Sequence, residues 1–155
     1  MNAHKTFATA KRVLLQLRHD PRTLVLLFVV PSVLLTIFKY VFQGEPQTFN
    51  RLAPMLLGIF PMVLMFLITS IATLRERRNG TLDRLLTMPV AKADFVIGYA
   101  LAFGLVACVQ AVVTSLVLLG LLGVTVLGGV LATIVGAVLA ALLGTSLGLL
   151  ASAFA

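Results

Sequence analysis

The chain has 155 residues, of which 60% are hydrophobic and 11% are charged, and its formal net charge is +7. Its mean hydropathy of +1.10 excludes an ordinary soluble domain, because a fold of this size has too little interior to bury so much apolar surface. All twelve Lys and Arg precede residue 93 and flank long apolar runs, a pattern that sets membrane topology and argues against a nucleic-acid-binding surface.

Residues 1–20 are predicted to form an amphipathic elbow helix at the membrane interface. Phe7, Ala10, Leu14 and Leu17 recur at spacings of three and four and share one face, while the cations fall mostly on the other, where they can contact anionic lipid head groups. A helix packed on a protein partner is an alternative compatible with this one. The elbow prediction rests on Phe7, Lys11, Arg12, Leu14, Arg18, Asp20 and Pro21.

A polytopic transmembrane bundle, all-α and forming a single domain over residues 1–155, is predicted for the rest of the chain. Pro21 ends the elbow helix and suits the first turn of the next helix, for which Asp20 is a good N-cap. Four apolar runs are then long enough to cross a bilayer. The predicted spans are residues 23–42, 52–74, 95–119 and 130–150, the last two joined by a glycine-rich turn at 120–129.

The first span contains a proline and a lysine. Pro31 should kink the helix, because its ring removes one backbone hydrogen bond. Lys39 lies near the far end, where we expect its side chain to reach the outer interface in preference to lining a path through the bundle.

The distribution of cations predicts the orientation of the chain. The segment before the first span carries five Lys and Arg, the loop at 75–94 carries five, and the loop between the first two spans carries Arg51 alone. Because cytoplasmic loops are enriched in Lys and Arg, we expect the N-terminus and the 75–94 loop in the cytoplasm and the chain in the plasma (inner) membrane.

Polar and small residues inside the later spans suggest two kinds of contact. Gln110 and Thr114 are four residues apart and share a face with Ser115 beside them, so they can line a substrate path; hydrogen bonds between helices or back to the preceding turn are the favoured alternative. Gly144 and Gly148 form a small-xxx-small pattern that permits close approach of two helices, although a glycine-rich span contains this pattern often by chance.

The loop at 75–94 has a helical pattern of its own. Thr81 can cap a helix start, and Leu82, Leu85 and Leu86 fall on one face with Asp83, Arg84 and Thr87 opposite. Pro89 ends the segment. A helix of about two turns is too short to be stable alone in water, so it needs a surface to pack on.

The run RERRNGTLDRLLTMPV resembles the first cytoplasmic loop of type 2 ABC exporter permeases. The matching residues are Glu76, Gly80, Thr81, Leu82, Asp83, Arg84, Leu85, Leu86, Pro89 and Val90. The resemblance implies that this loop carries a coupling helix, which contacts a cytoplasmic ATPase subunit and transmits its closure to the spans. It also implies a second permease subunit, as a homo- or heterodimer, and an N-terminal interfacial elbow helix.

Members of that family have two more spans than this chain predicts, so we interpret the chain as the N-terminal part of a permease, with a complete four-span protein as the alternative. The sequence contains no phosphate-binding loop and no cluster of metal-ligating residues around its histidines, His4 and His19. We therefore predict a non-enzymatic chain that binds no cofactor, with ATP and magnesium used by the partner subunit.

The predicted function is export of a hydrophobic or amphiphilic substrate such as a drug, lipid or glycan-like molecule. The alternatives are a carrier or pore that needs no ATPase, and a membrane anchor or assembly protein without transport.

Overall fold

The computed structural model describes residues 3–78, 92–126 and 128–154, and within these ranges the chain is helical and contains no strand. The helices are α1 (Ala3–Arg18), α2 (Pro21–Val41), α3 (Pro46–Arg78), α4 (Lys92–Leu116), a π-helical turn (Val117–Leu121) and α5 (Val130–Phe154). Each of α2 to α5 is long and apolar enough to cross a membrane. The prediction of an all-α polytopic bundle with four spans is confirmed.

The largest difference from the sequence prediction lies at the start of α3. Residues 46–51 were expected in a polar loop, but they form the first turns of this helix. Pro46 suits the first helical position because its missing N–H has no partner there in any case. Phe49 and Ala53 lie one turn apart and are both buried, so this segment is helical because one of its faces packs on the protein.

The remaining boundaries differ from the predicted ones by a few residues. Helix α4 begins before residue 95 and continues through the π-helical turn to Leu121. Helix α5 begins at the predicted residue 130 and extends to Phe154. Gly123 and Gly129, with φ of 61° and 83°, occupy left-handed conformations in the connection, which explains the need for glycine there.

The interior is built around α3, which packs most extensively against α5. Gly144 and Gly148 make this close approach possible: a Cβ atom at Gly144 would overlap the backbone of Met62, and one at Gly148 would lie 2.7 Å from the carbonyl oxygen of Phe66. The predicted small-xxx-small pattern therefore marks a helix contact, and α3 is the helix that it meets.

The two ends of the bundle differ in charge. We call the end that holds α1, the first turn of α2, the last turn of α3 and the first turn of α4 the basic side; the Lys and Arg of these segments are Lys5, Lys11, Arg12, Arg18, Arg22, Arg75, Arg77, Arg78 and Lys92. The opposite end, formed by residues 42–45 and by the connection from α4 to α5, is called the turn side. Lys39 and Arg51 are the cations of the described chain on that side.

Candidate functional site

Helix α1 packs on the basic side of the bundle through a face of small and apolar residues. Thr6, Ala10 and Val13 are buried, and Leu17 packs against the core one turn further on. The helix approaches α4 so closely that a Cβ atom at Gly98 would lie 2.8 Å from the Cβ of Thr9. Helix α1 is thus fixed to the bundle at the first turns of α4.

The predicted apolar stripe of α1 is divided between two environments. Leu14 packs against the core, whereas Phe7 is 72% exposed, with Lys11 and Arg18 on the same helix. An exposed aromatic ring on a helix rich in cations is the composition expected in the interfacial region of a membrane. Val13 and Thr6, absent from the predicted stripe, carry part of the protein contact instead.

Arg12 connects three helices at one point. Its Nη2 atom donates to both carboxylate oxygens of Glu76, each at 3.2 Å, and to the hydroxyl oxygen of Tyr99 at 3.0 Å. Arg12 belongs to α1, Glu76 to the end of α3 and Tyr99 to the beginning of α4. We call this cluster the basic-side junction, and it joins the elbow helix to both helices that bracket residues 79–91.

The ion pair of the basic-side junction is partly shielded from solvent. The side chain of Glu76 is 14% exposed and that of Arg12 is 34% exposed. A charge pair with this degree of burial is less screened than a surface pair, and removing one partner leaves the other partly desolvated without a counterion. The junction therefore favours one relative position of the three helices over others.

The elbow between α1 and α2 is held by an N-cap. The Asp20 carboxylate accepts a hydrogen bond from the Thr23 backbone N–H at 3.3 Å and another from the Thr23 hydroxyl at 2.8 Å. These two bonds hold the pKa of Asp20 below its usual value, and the nearby positive charge of Arg75 acts in the same direction. Pro21 lies at the start of α2, as predicted from the sequence.

A cavity of about 510 Å³ opens beside the junction, between α1, α2, α3 and α4. Its charged lining consists of Asp20, Arg75 and Glu76, and much of its remaining wall is apolar, including Leu26 and Phe103. Leu26 is also exposed on the outer surface of the bundle. The cavity thus connects a charged region at the basic side to the apolar surface of the spans.

Most of the predicted coupling residues lie outside the described part of the chain. These are Gly80, Thr81, Leu82, Asp83, Arg84, Leu85, Leu86 and Pro89. Glu76 is described, and its carboxylate is bonded to Arg12 within the same chain. Glu76 therefore has a contact inside this chain in addition to the coupling role that its position in the motif implies.

The residues predicted to line a substrate path are buried and hydrogen-bonded within the protein. The Thr114 hydroxyl donates to the carbonyl of Gln110 at 2.9 Å, and the Ser115 hydroxyl donates to that of Ala111 at 2.7 Å. Gln110 Nε2 donates across helices to the carbonyl of Leu27 at 3.1 Å. These are the contacts that the favoured alternative predicted, and the path itself stays a prediction.

The contact of Gln110 with Leu27 has a specific cause in the sequence. Pro31 has no N–H, so it cannot donate to the carbonyl four residues earlier, which is that of Leu27. Gln110 provides the missing donor from α4. Its own Oε1 atom is buried and has no hydrogen-bond partner among the described residues.

A family model for ABC-2 type transporters matches residues 4–155. The chain belongs to the ABC-2 type transporter family. No curated protein and no solved structure gives a significant match to it. The resemblance carried by the 75–94 motif is therefore confirmed at the level of the family, and the chain is a membrane component of a transporter.

Sequence reasoning on this ABC-2 type chain missed the basic-side junction. Glu76 has cations close to it in the sequence, but its partner Arg12 is 64 positions away. The sequence offered one indirect signal: Arg12, Glu76 and Tyr99 all lie within or close to the segments predicted on the same side of the membrane. That places them in one layer without specifying which cation and carboxylate meet.

Proposed function

We propose that this chain is the membrane permease subunit of an ATP-binding cassette exporter that moves a hydrophobic or amphiphilic substrate out of the cytoplasm. The family match supports the transporter class. The observation that carries the mechanism is the basic-side junction, in which Arg12 contacts Glu76 and Tyr99 on the two helices that flank residues 79–91.

The junction suggests how force passes from the loop to the spans. Residues 79–91 are joined covalently to α3 at one end and to α4 at the other, so a displacement of the loop acts on both helices. Arg12 binds both helix ends and transmits the same displacement to α1. Packed helices connected in this way move as a body, as alternating access requires.

The orientation that we propose defines the two sides of the membrane for the proposed export, whose direction rests on the family resemblance. The basic side carries most of the Lys and Arg of the described ranges and is assigned to the cytoplasm by the positive-inside rule. The N-terminus and residues 79–91 are then cytoplasmic, within reach of a soluble ATPase. The turn side faces outward from the plasma (inner) membrane and is the side of release.

The proposed assembly contains further subunits. A nucleotide-binding subunit would bind ATP and magnesium and contact the loop, and a second permease subunit would complete the transporter. The amphiphilic class of substrate is supported by the basic-side cavity, where Asp20 and Arg75 lie at one end and Leu26 opens onto the apolar surface.

Co-purification with the ATPase tests the proposal. We expect Leu82→Asp or Leu85→Asp to abolish retention of an ATP-binding cassette subunit, identified by mass spectrometry, because each places a carboxylate on the leucine face of the sequence-predicted coupling helix. Thr87→Asp is the matched control, since it adds the same charge to the opposite face and should leave the complex intact.

Two results would contradict the proposal. Equal retention of the ATPase by Leu82→Asp, Leu85→Asp and Thr87→Asp would remove the coupling assignment. Uptake into vesicles by the purified chain, driven by a substrate gradient without ATP, would favour the carrier alternative, and a stable complex without flux under any energy source would favour the anchor.

A further inference from the structure

A second cavity, of about 520 Å³, lies on the turn side at the end of the first span. It is enclosed by the last turns of α2, the first turns of α3 and the end of the π-helical turn. This volume is within the range of small-molecule sites, roughly 300–1,000 Å³. The family motif and the basic-side junction do not involve it.

Among the described residues that line this cavity, Lys39 is the charged one. Its Nζ atom donates to the carbonyl oxygen of Leu122 at 2.7 Å. No carboxylate of the described chain lies within ion-pair distance of Lys39. The ion pair of the described residues joins Arg12 to Glu76, on the basic side of the bundle. The nearest acid in sequence, Glu45, accepts a hydrogen bond from Thr48 and does not line the cavity.

Lys39 was expected to reach the interface at the far end of the first span, and its Nζ atom does contact the bundle at that end. The carbonyl that it contacts belongs to the connection after the π-helical turn, and both residues line the cavity. An ammonium group has three N–H donors, and one carbonyl accepts one of them. An ionisable residue within a transmembrane helix that has no counterion is a candidate for a functional site.

The wall that carries the Leu122 carbonyl has a defined backbone conformation. The Leu122 N–H donates to the carbonyl of Val117 at 3.0 Å, which closes the π-helical turn. Gly123 follows with φ of 61°, a left-handed conformation that reverses the chain beside the cavity. Single π-helical turns occur frequently at functional sites.

The rest of the lining has the polarity of an amphiphile. Tyr40 and Gln43 contribute a hydroxyl and an amide, which are neutral hydrogen-bond donors. Phe49 and Leu121 contribute apolar walls, and Leu121 is largely exposed. A cation and neutral donors therefore lie beside apolar surface at the end of a span.

We propose that this turn-side cavity binds the anionic head group, a carboxylate or a phosphate, of an amphiphile whose apolar chain extends along Phe49 and Leu121. Lys39 neutralises the head group, and the neutral donors orient it. The site does not depend on the proposed ATPase coupling, because binding is an equilibrium property of the cavity.

Photo-crosslinking of the protein in phosphatidylcholine nanodiscs tests this site. The probe is a palmitic acid analogue with a diazirine on its chain, and the adducts are mapped by peptide mass spectrometry. We expect labelling of residues 36–50 or 117–126, and a decrease of about tenfold or more in Lys39→Gln, as expected for loss of a charge-assisted bond. Arg51→Gln is the matched control, because Arg51 is a turn-side cation outside the cavity lining.

Competition and a conservative variant test whether the charge of the head group determines binding. Lys39→Arg keeps the cation and should retain labelling, which shows that the cavity still forms with an altered side chain. Oleate and lysophosphatidate should compete, whereas oleyl alcohol and inorganic phosphate at the same concentrations should not. Equal labelling of Lys39→Gln and Arg51→Gln, equal competition by oleyl alcohol, or full competition by inorganic phosphate would each overturn the proposal.

Discussion

Replacement of Gln110 by Leu tests whether α4 supplies the hydrogen bond that Pro31 removes from α2. In the wild-type chain Gln110 Nε2 donates to the carbonyl of Leu27 at 3.1 Å, and both Gln110 and Leu27 are fully buried. The substitution leaves this carbonyl without a donor. It also removes the buried Oε1, which has no partner among the described residues. The single substitution therefore loses the stability of one hydrogen bond and gains the stability that burial of an unpaired oxygen had cost.

A double-mutant cycle with Pro31→Ala isolates the hydrogen bond. Alanine at position 31 restores an N–H four residues after Leu27, so the carbonyl regains a helical donor and no longer needs Gln110. The gain from removing Oε1 is the same in both backgrounds and cancels. Hydrogen bonds between transmembrane helices contribute about 0.6 kcal/mol on average and up to about 1.7 kcal/mol. Because this bond is buried and its acceptor has lost its helical donor, we expect a coupling energy of about 1 kcal/mol.

The assay is reversible unfolding of the four proteins in mixed micelles by SDS titration, followed by circular dichroism. We expect Gln110→Leu to lower the free energy of unfolding by about 1 kcal/mol more in the wild-type background than in the Pro31→Ala background. Equal effects in the two backgrounds, within about 0.3 kcal/mol, would refute the assignment of Gln110 as the replacement donor.

Three further predictions concern helix contacts and the elbow. Gly144→Ala should lower the free energy of unfolding by about 1–3 kcal/mol, because the new Cβ overlaps the backbone of α3. The control Gly136→Ala, in open space on the same helix, should leave this free energy unchanged or raise it by up to about 1 kcal/mol. Equal effects of the two substitutions would contradict the close approach of α5 to α3. Arg12→Gln should lower the thermal unfolding midpoint, because it leaves Glu76 without its counterion. The double variant Arg12→Glu with Glu76→Arg exchanges the two charges and should recover part of this loss. No recovery would mean that the two charges do not pair. Asp20→Ala should lower the free energy of unfolding by about 1 kcal/mol. Because the pKa of Asp20 is lowered in the folded chain, the contribution of its carboxylate is complete above the ordinary value of 3.8 and is lost as the pH falls through the lowered pKa. Asp20→Asn keeps the cap without titrating, so the same pH dependence of the thermal midpoint in the wild type and Asp20→Asn, between pH 7 and pH 3, would contradict this prediction.

The fold was predictable from the sequence because bilayer thickness sets helix length. Each span needs about twenty apolar residues, and such runs are unambiguous in this chain. The start of α3 was missed because the polar residues Gln47, Thr48 and Asn50 suggest a loop by composition. Their helical conformation depends on burial of Phe49 and Ala53 against other elements, which is information that a local pattern does not contain.

The contacts between elements were less predictable than the elements themselves. The pattern of Gly144 and Gly148 indicates a close helix contact, but any neighbouring helix satisfies it. Arg12 can pair with several carboxylates on the same side of the membrane, and Glu76 is selected by the packing of α1 on α4. Predicting the hydrogen bond of Gln110 to Leu27 would require knowing that the proline in one span leaves a carbonyl without its helical donor and that a side chain of another span replaces this donor.

The fully buried residues of α5 are no larger than threonine: Ala137, Ala141, Gly144, Thr145, Gly148 and Ser152. Several leucines of the same helix, including Leu139, Leu143 and Leu147, are exposed. In hydrocarbon a leucine gains nothing by leaving lipid for protein, so these leucines favour partition of the segment into the bilayer, whereas the small residues favour its association with α3. Mutations on the two faces of α5 should therefore separate insertion defects from assembly defects.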